Sequence, residues 1–123
     1  MKQTEISDRG LVRLLPATYH KPPSLRGLVD TGATYVAINS STARKLGLTL
    51  GPADFKYEVR TANGLTNAAL VHLNRMEIGS ISVSDVEAFV LNDQALSATL
   101  IGMSFMSKLQ SYRVRDNQLE MMN

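Results

Sequence analysis

Cysteine is absent from the 123 residues, which excludes disulfides, thiolate nucleophiles and cysteine-ligated zinc. Tryptophan is also missing, and aromatic residues together reach only 6%. The only histidines, His20 and His72, stand far apart and match no metal-ligand spacing, so neither a metal nor a cofactor is expected. Thirteen Lys and Arg against eleven Asp and Glu leave a formal charge of +2. The cations are scattered, with only Arg44 and Lys45 adjacent, so the basic stripe of a nucleic-acid binder is lacking. No run approaches the roughly 18 apolar residues that span a bilayer. Residues 1–10 lack the apolar core of a secretory leader, so the chain reads as a soluble domain with no membrane segment.

What is present is globular: 44% hydrophobic and 20% charged residues, in a length suited to one domain over 1–123 with its core at about 10–120. Folding a chain of this size hides roughly two-thirds of its extended surface, enough for a self-sufficient core. Short apolar segments alternate with turn signals. Leu11 to Leu15 ends at Pro16, and Pro22-Pro23 marks a connection. Leu25 to Val29 runs into Asp30-Thr31-Gly32-Ala33, and Tyr35 to Ile38 forms the next strand. Asn39 to Gly47 carries small polar residues at its start, cations near its end and a closing glycine, the pattern of a two-turn helix.

Asn63-Gly64 inside the loosely alternating stretch 57–71 predicts a hairpin with its tip at those two residues. The apolar phase then changes near Asn74-Arg75 and again near Ser84-Asp85, with Gly79-Ser80 as a turn between them, so a bulge is expected at the first and a second irregularity at the other. Thr99 to Gly102 reads as a strand, and Phe105, Met106 and Leu109 share one face of a short helix over 103–109. Val114 and Leu119 suit a terminal strand or hairpin. The fold class is all-β: a compact, mainly antiparallel barrel or sandwich with one or two short helices.

Asp30 is the unusual carboxylate. Apart from the Tyr35 phenol, no ionisable group lies between Arg26 and Arg44, whereas Asp54, Asp85, Asp93 and Asp116 occupy polar, turn-like contexts. An aspartate between two apolar strands either satisfies backbone N–H groups in a turn or does chemistry.

Leu28-Val29-Asp30-Thr31-Gly32-Ala33-Thr34 resembles the active-site loop of aspartic proteases. Thr61-Ala62-Asn63-Gly64 resembles their flap, and Leu100-Ile101-Gly102-Met103-Ser104-Phe105 the apolar-apolar-glycine element beneath the loop. Over about residues 10–120 the chain is most similar to the bacterial single-domain, retropepsin-like aspartic proteases. That resemblance implies a closed antiparallel barrel of the acid-protease type and an aspartic endopeptidase acting on peptide or protein substrates. It implies Asp30 as the catalytic carboxylate, Thr31 holding two loops in register, and Gly32 giving backbone access. Ala33 and Thr34 complete the loop, while Ala62, Asn63 and Gly64 close over substrate.

The chemistry needs two carboxylates about 3 Å apart sharing one proton. One Asp-Thr-Gly per chain then requires a homodimer with Asp30 supplied twice, and excludes an active monomer. A shared-proton pair also implies activity peaking below neutral pH. Retroviral members carry an aspartate where this chain has Thr34, which removes one substrate contact. The resemblance suggests a bacterial periplasmic or membrane-anchored envelope location, with any anchor outside this sequence. Two other readings stand beside it: a retropepsin-like dimerisation or peptide-binding module without hydrolysis, and a plain β scaffold with a chance Asp-Thr-Gly. The role of His20 to Ser24 is open.

Overall fold

A computed structural model describes residues 3–6, 11–15, 25–61, 63–115 and 118–123. The proline-containing stretch His20 to Ser24 and Ala62, expected in the flap, lie outside the described residues. The dominant feature is a long hairpin of β6 (Gly64–Ile78) and β7 (Ile81–Leu91), closed by Gly79 and Ser80. Gly79 has φ 59°, the left-handed value that favours glycine in so tight a turn.

Both expected phase changes are present, and they lie opposite each other. Leu73 pairs with Val86 and Arg75 with Ser84, so the register is the same on either side. Asp85 takes φ 56°, and this local kink lets Ala69, Val71 and Leu73 on one side, and Met76 and Ile78 on the other, enter the same core. Lys108 donates its ammonium to the carbonyl groups of Ser84 and Asp85 at the kink.

The remaining strands wrap around this hairpin. β2 (Leu11–Leu15), β3 (Leu25–Val29), β4 (Val36–Asn39), β5 (Tyr57–Thr61) and β8 (Thr99–Ile101) join β6 and β7 in the order β2-β3-β8-β4-β7-β6-β5. The β3–β8 and β4–β7 pairings are parallel, within an otherwise antiparallel sheet. β2 pairs again with β6, which curls the sheet. The expected closed barrel is instead an open half-barrel. Among the described residues, Leu11 and Val12 pair with β3, and Ala37 pairs with Leu100 between β4 and β8. At the end of the order, β5 is a free edge among the described residues.

The core contains Leu14, Ile38, Leu73, Met76, Ile78, Ile81, Ile101 and Phe105, all fully buried. A second sheet, β1 (Gln3–Ile6), β10 (Gln118–Met122) and β9 (Ser111–Arg115), adds Met121 to the core. Leu119 pairs with Val114, so the terminal segment is a hairpin. Across it, Arg113 Nε donates to the buried Glu120 carboxylate at 2.7 Å.

Helix α1 (Ser40–Lys45) is one residue shorter at the start than expected, because Asn39 serves as its cap and accepts from the Thr42 N–H at 2.9 Å. Asp93, which the sequence marks only as a solvated turn residue, reaches the same helix end. It accepts from the Ser41 N–H at 3.0 Å and from the Ser41 hydroxyl. The hydroxyl bond is the largest cause holding the Asp93 carboxyl below the ordinary 3.8, followed by the backbone N–H.

Because the folded value is depressed, the contribution of Asp93 to stability is fully present above the unfolded carboxylate value and is lost as pH falls through the lower folded one. Urea unfolding of wild type and Asp93→Asn is therefore expected to show a constant gap from about pH 7 to about pH 5. The gap narrows below pH 3.8, where the unfolded chain takes up the proton, and closes only beneath the lower folded value, where both states do. A gap that persists into that range would show that the Asp93 charge is not what stabilises the helix end.

Candidate active site

Asp30 follows β3, and its N–H donates to the Ile101 carbonyl of β8 at 3.0 Å, continuing the parallel β3–β8 ladder by one residue. The chain then turns sharply, with the Ala33 N–H bonded to the Asp30 carbonyl at 3.1 Å. The Gly32 N–H donates to Asp30 Oδ1 at 3.0 Å. The local turn role weighed for this aspartate is thus real, yet it occupies only one carboxylate oxygen. Oδ2 has no partner among the described residues. Asp30 is half-buried, while Thr31, Gly32 and Thr34 are exposed.

The loop is braced from beneath by the segment after β8. The Met103 N–H donates to the Ala33 carbonyl at 2.8 Å. Ser104, in the short helix α2 (Met103–Met106), accepts from the Val36 N–H at 2.8 Å and donates to the Glu87 carbonyl at 2.7 Å. One hydroxyl thereby connects the segment that follows Asp30, α2 and β7. Phe105 and Met106 anchor α2 in the core, and Leu109 follows them there, as their spacing predicts. The helix itself is shorter than the expected 103–109 and continues as turns.

In front of the loop lies a cleft of about 540 Å³. Asp30 is the single carboxylate among its described lining residues, and Tyr35, Phe89, Leu96 and Leu100 make the walls largely apolar. Of the expected loop residues, Gly32, Ala33 and Thr34 line the cleft with Asp30 and Thr31 does not.

The hairpin of β5 and β6 reaches the cleft through Val59, Arg60 and Thr61, whereas Asn63 and Gly64 lie exposed at its tip outside the lining. Thr61 pairs with Gly64, so Gly64 already belongs to the strand and the hairpin closes one position earlier than the Asn-Gly signal predicts. Thr61 explains the shift: its hydroxyl accepts from the Asn63 N–H at 3.1 Å and donates to the Gly64 carbonyl at 2.9 Å.

Tyr35 and Phe89 escaped the sequence reading as site residues. For Phe89 a signal exists: Val86, Ala88 and Val90 are buried, so a phenylalanine on the opposite phase of β7 faces away from the core. Among the described residues, no three acidic or histidine side chains gather as a metal site. None of the described helices is long and apolar enough to cross a membrane.

An Asp-Thr-Gly loop braced by a glycine-helix element, at an apolar cleft under a β-hairpin in a curled half-barrel, defines the retropepsin-like aspartic protease fold. A retropepsin-like aspartic protease from Rickettsia conorii superposes with a TM-score of 0.75 at 24% identity, covering 98% of each chain. The retroviral protease-like domain of Ddi1 from Leishmania major does so with a TM-score of 0.59 at 16% identity, over 90% of this chain and 83% of that one. These two likenesses concern the fold alone.

Residues 20–108 match the family model of the gag-polyprotein putative aspartyl protease, and the chain belongs to that family. An uncharacterised Sinorhizobium protein from the cobV 5′ region is 38% identical over 94 residues, covering 76% of this chain and 40% of that protein. The uncharacterised protein RP867 of Rickettsia prowazekii is 31% identical over 99 residues, covering 80% of this chain and 42% of its own length. The chain thus spans about two-fifths of these curated relatives.

Proposed function

We propose that the chain is one half of a homodimeric aspartic endopeptidase whose two Asp30 side chains form the catalytic pair. The observation that carries this reading is the setting of Asp30. It is held by the Gly32 N–H through one oxygen, its loop is exposed, and it opens onto an apolar cleft. Leu28, two residues earlier, is 48% exposed, an apolar surface of the kind a second copy covers.

With two such loops facing each other across a two-fold axis, the carboxylates share one proton, because like charges so close cannot both ionise. The ionised member takes a proton from water as that water attacks the peptide carbonyl carbon. The neutral member hydrogen-bonds to the carbonyl oxygen, and the proton passes on to the leaving amine. On this reading Thr31, which is exposed, bonds across the axis, and the 57–71 hairpin covers the bound peptide and excludes water. Apolar walls suit apolar side chains flanking the cleaved bond. On this reading 1–123 is a single protease domain, and the envelope location implied by the resemblance belongs to the same proposal.

The test measures molecular mass by sedimentation equilibrium alongside cleavage of an apolar-centred peptide at mildly acid pH, across one dilution series. Specific activity is expected to follow the dimer fraction. Full activity in a strictly monomeric sample would overturn the paired-Asp30 mechanism. A stable dimer that binds the peptide and leaves it intact would favour the non-hydrolytic module.

A further inference from the structure

We propose that Phe89 is a positioning residue that fixes the hairpin over the cleft to the Asp30 segment through a stack of three rings, Tyr35, Phe89 and Tyr57. The inference rests on the cleft being the substrate site of a protease, and assigns to that site the device that sets the height of its cover. The Tyr35 and Phe89 ring centroids are 4.7 Å apart, edge to face at 70°. Phe89 and Tyr57 are 5.8 Å apart and tilted at 51°. Both separations fall in the range where aromatic pairs attract beyond their area burial.

Two of the rings have rigid backbones. The residues flanking Tyr35 are bonded on both sides, Ala33 to Met103 and Val36 to Ser104. Phe89 sits mid-strand, paired with Ala37 on one side and Leu70 on the other. Tyr57 differs, because it opens β5, which among the described residues is paired only to β6 and forms the free edge of the sheet. A two-stranded extension of this kind is marginal alone, so an added contact at its base has leverage over its angle. From Tyr57 the strand runs four residues to Thr61, at the turn, and Val59 and Thr61 line the cleft on the way. Lys56 Nζ, 5.8 Å from the Tyr57 ring centroid, adds a cation to that exposed ring. Phe89 lies on the phase of β7 opposite to the core, so its ring is free to serve the cleft side.

The test uses hydrogen exchange on the intact protein, which needs no turnover. Phe89→Leu keeps an apolar side chain and removes the ring. Exchange of the amides in 57–61 is expected to accelerate about fivefold, the factor an aromatic pair supports, with the β4 and β8 amides unchanged. Tyr57→Leu is expected to give the same acceleration, the double variant no more than either alone, and Phe89→Tyr the wild-type rate. On a cleavable peptide, Phe89→Leu is expected to raise KM about fivefold at nearly constant kcat, and Phe89→Tyr to restore it.

Unchanged exchange in 57–61, additive effects of the two single variants, or acceleration spread over the whole core would each overturn the proposal. Absence of cleavage by wild type would sink the protease reading. The exchange pattern would then still decide whether the rings hold the hairpin.

Discussion

Asp30→Asn is expected to abolish peptide cleavage while leaving the fold and the dimer intact. Asparagine is nearly isosteric, and its side-chain oxygen can still accept the Gly32 N–H that holds Asp30 Oδ1 at 3.0 Å. What it cannot do is ionise. In a symmetric assembly the change strikes both members of the pair at once, removing the base that deprotonates water and the acid that binds the carbonyl. General acid–base groups contribute about 10²–10⁴-fold each, so the loss should reach at least the upper part of that range. Thermal unfolding and sedimentation of the variant should match wild type, which separates lost chemistry from lost structure. The wild-type pH–rate profile is expected to peak below neutrality, since the pair must keep one proton. Retained cleavage in Asp30→Asn, or a wild-type rate still flat above about pH 8, would refute the shared-proton mechanism.

Features set by near neighbours in sequence were legible before any coordinates. The Gly79-Ser80 turn, the capped start of α1 at Asn39 and the buried face of Phe105, Met106 and Leu109 each depend on a few adjacent residues. The phase changes at residues 74–75 and 84–85 were equally visible, because an apolar period records which way each strand faces. That they cancel across the hairpin was not visible, since register is a property of two strands together.

Long-range pairings were hidden for the same reason. Apart from the resemblance that sets Leu100 to Gly102 beneath the loop, nothing near Gly27 to Val29 announces its parallel pairing with Thr99 to Ile101, and nothing near Asp93 points to Ser41. At the flap a local rule failed locally. Asn-Gly favours a turn at 63–64, but the Thr61 hydroxyl offers two bonds that close the hairpin one residue earlier. Of the residues lining the cleft, Asp30, Gly32, Ala33 and Thr34 were singled out in the sequence because they fall in one short motif. Val59 and Phe89 come from β5 and β7 and join them only in the folded chain, whereas Tyr35 adjoins Thr34 and was read simply as part of the next strand.

Gly102→Ala is expected to be the most destabilising single-methyl change at the site. Gly102 has φ −98° and ψ −171°, ordinary extended values, so an added side chain meets no conformational objection. The objection is space. A Cβ there would stand 2.2 Å from the Tyr35 carbonyl oxygen, 2.6 Å from its carbon and 2.9 Å from the Ala33 oxygen. All three atoms are backbone, and their segment is bonded to Met103 and Ser104, so no side chain can rotate away. Either β8 and α2 move outward or the Asp30 loop does.

Forced overpacking of this kind costs on the order of 3 kcal/mol, which lowers the melting temperature of a domain this size by about 10 °C. Gly64→Ala makes the contrast: nothing lies within 4 Å of its Cβ, and its φ of +107° imposes conformational strain instead, worth about 1 kcal/mol. Gly32→Ala falls between, with a Cβ 3.3 Å from Asp30 Oδ1. It is therefore expected to perturb the carboxylate more than the fold. Calorimetric melting of the three variants should rank Gly102→Ala lowest. A Gly102→Ala protein that melts with wild type would mean that the loop carrying Asp30 yields easily, and that the brace beneath it does not hold the carboxylate in place.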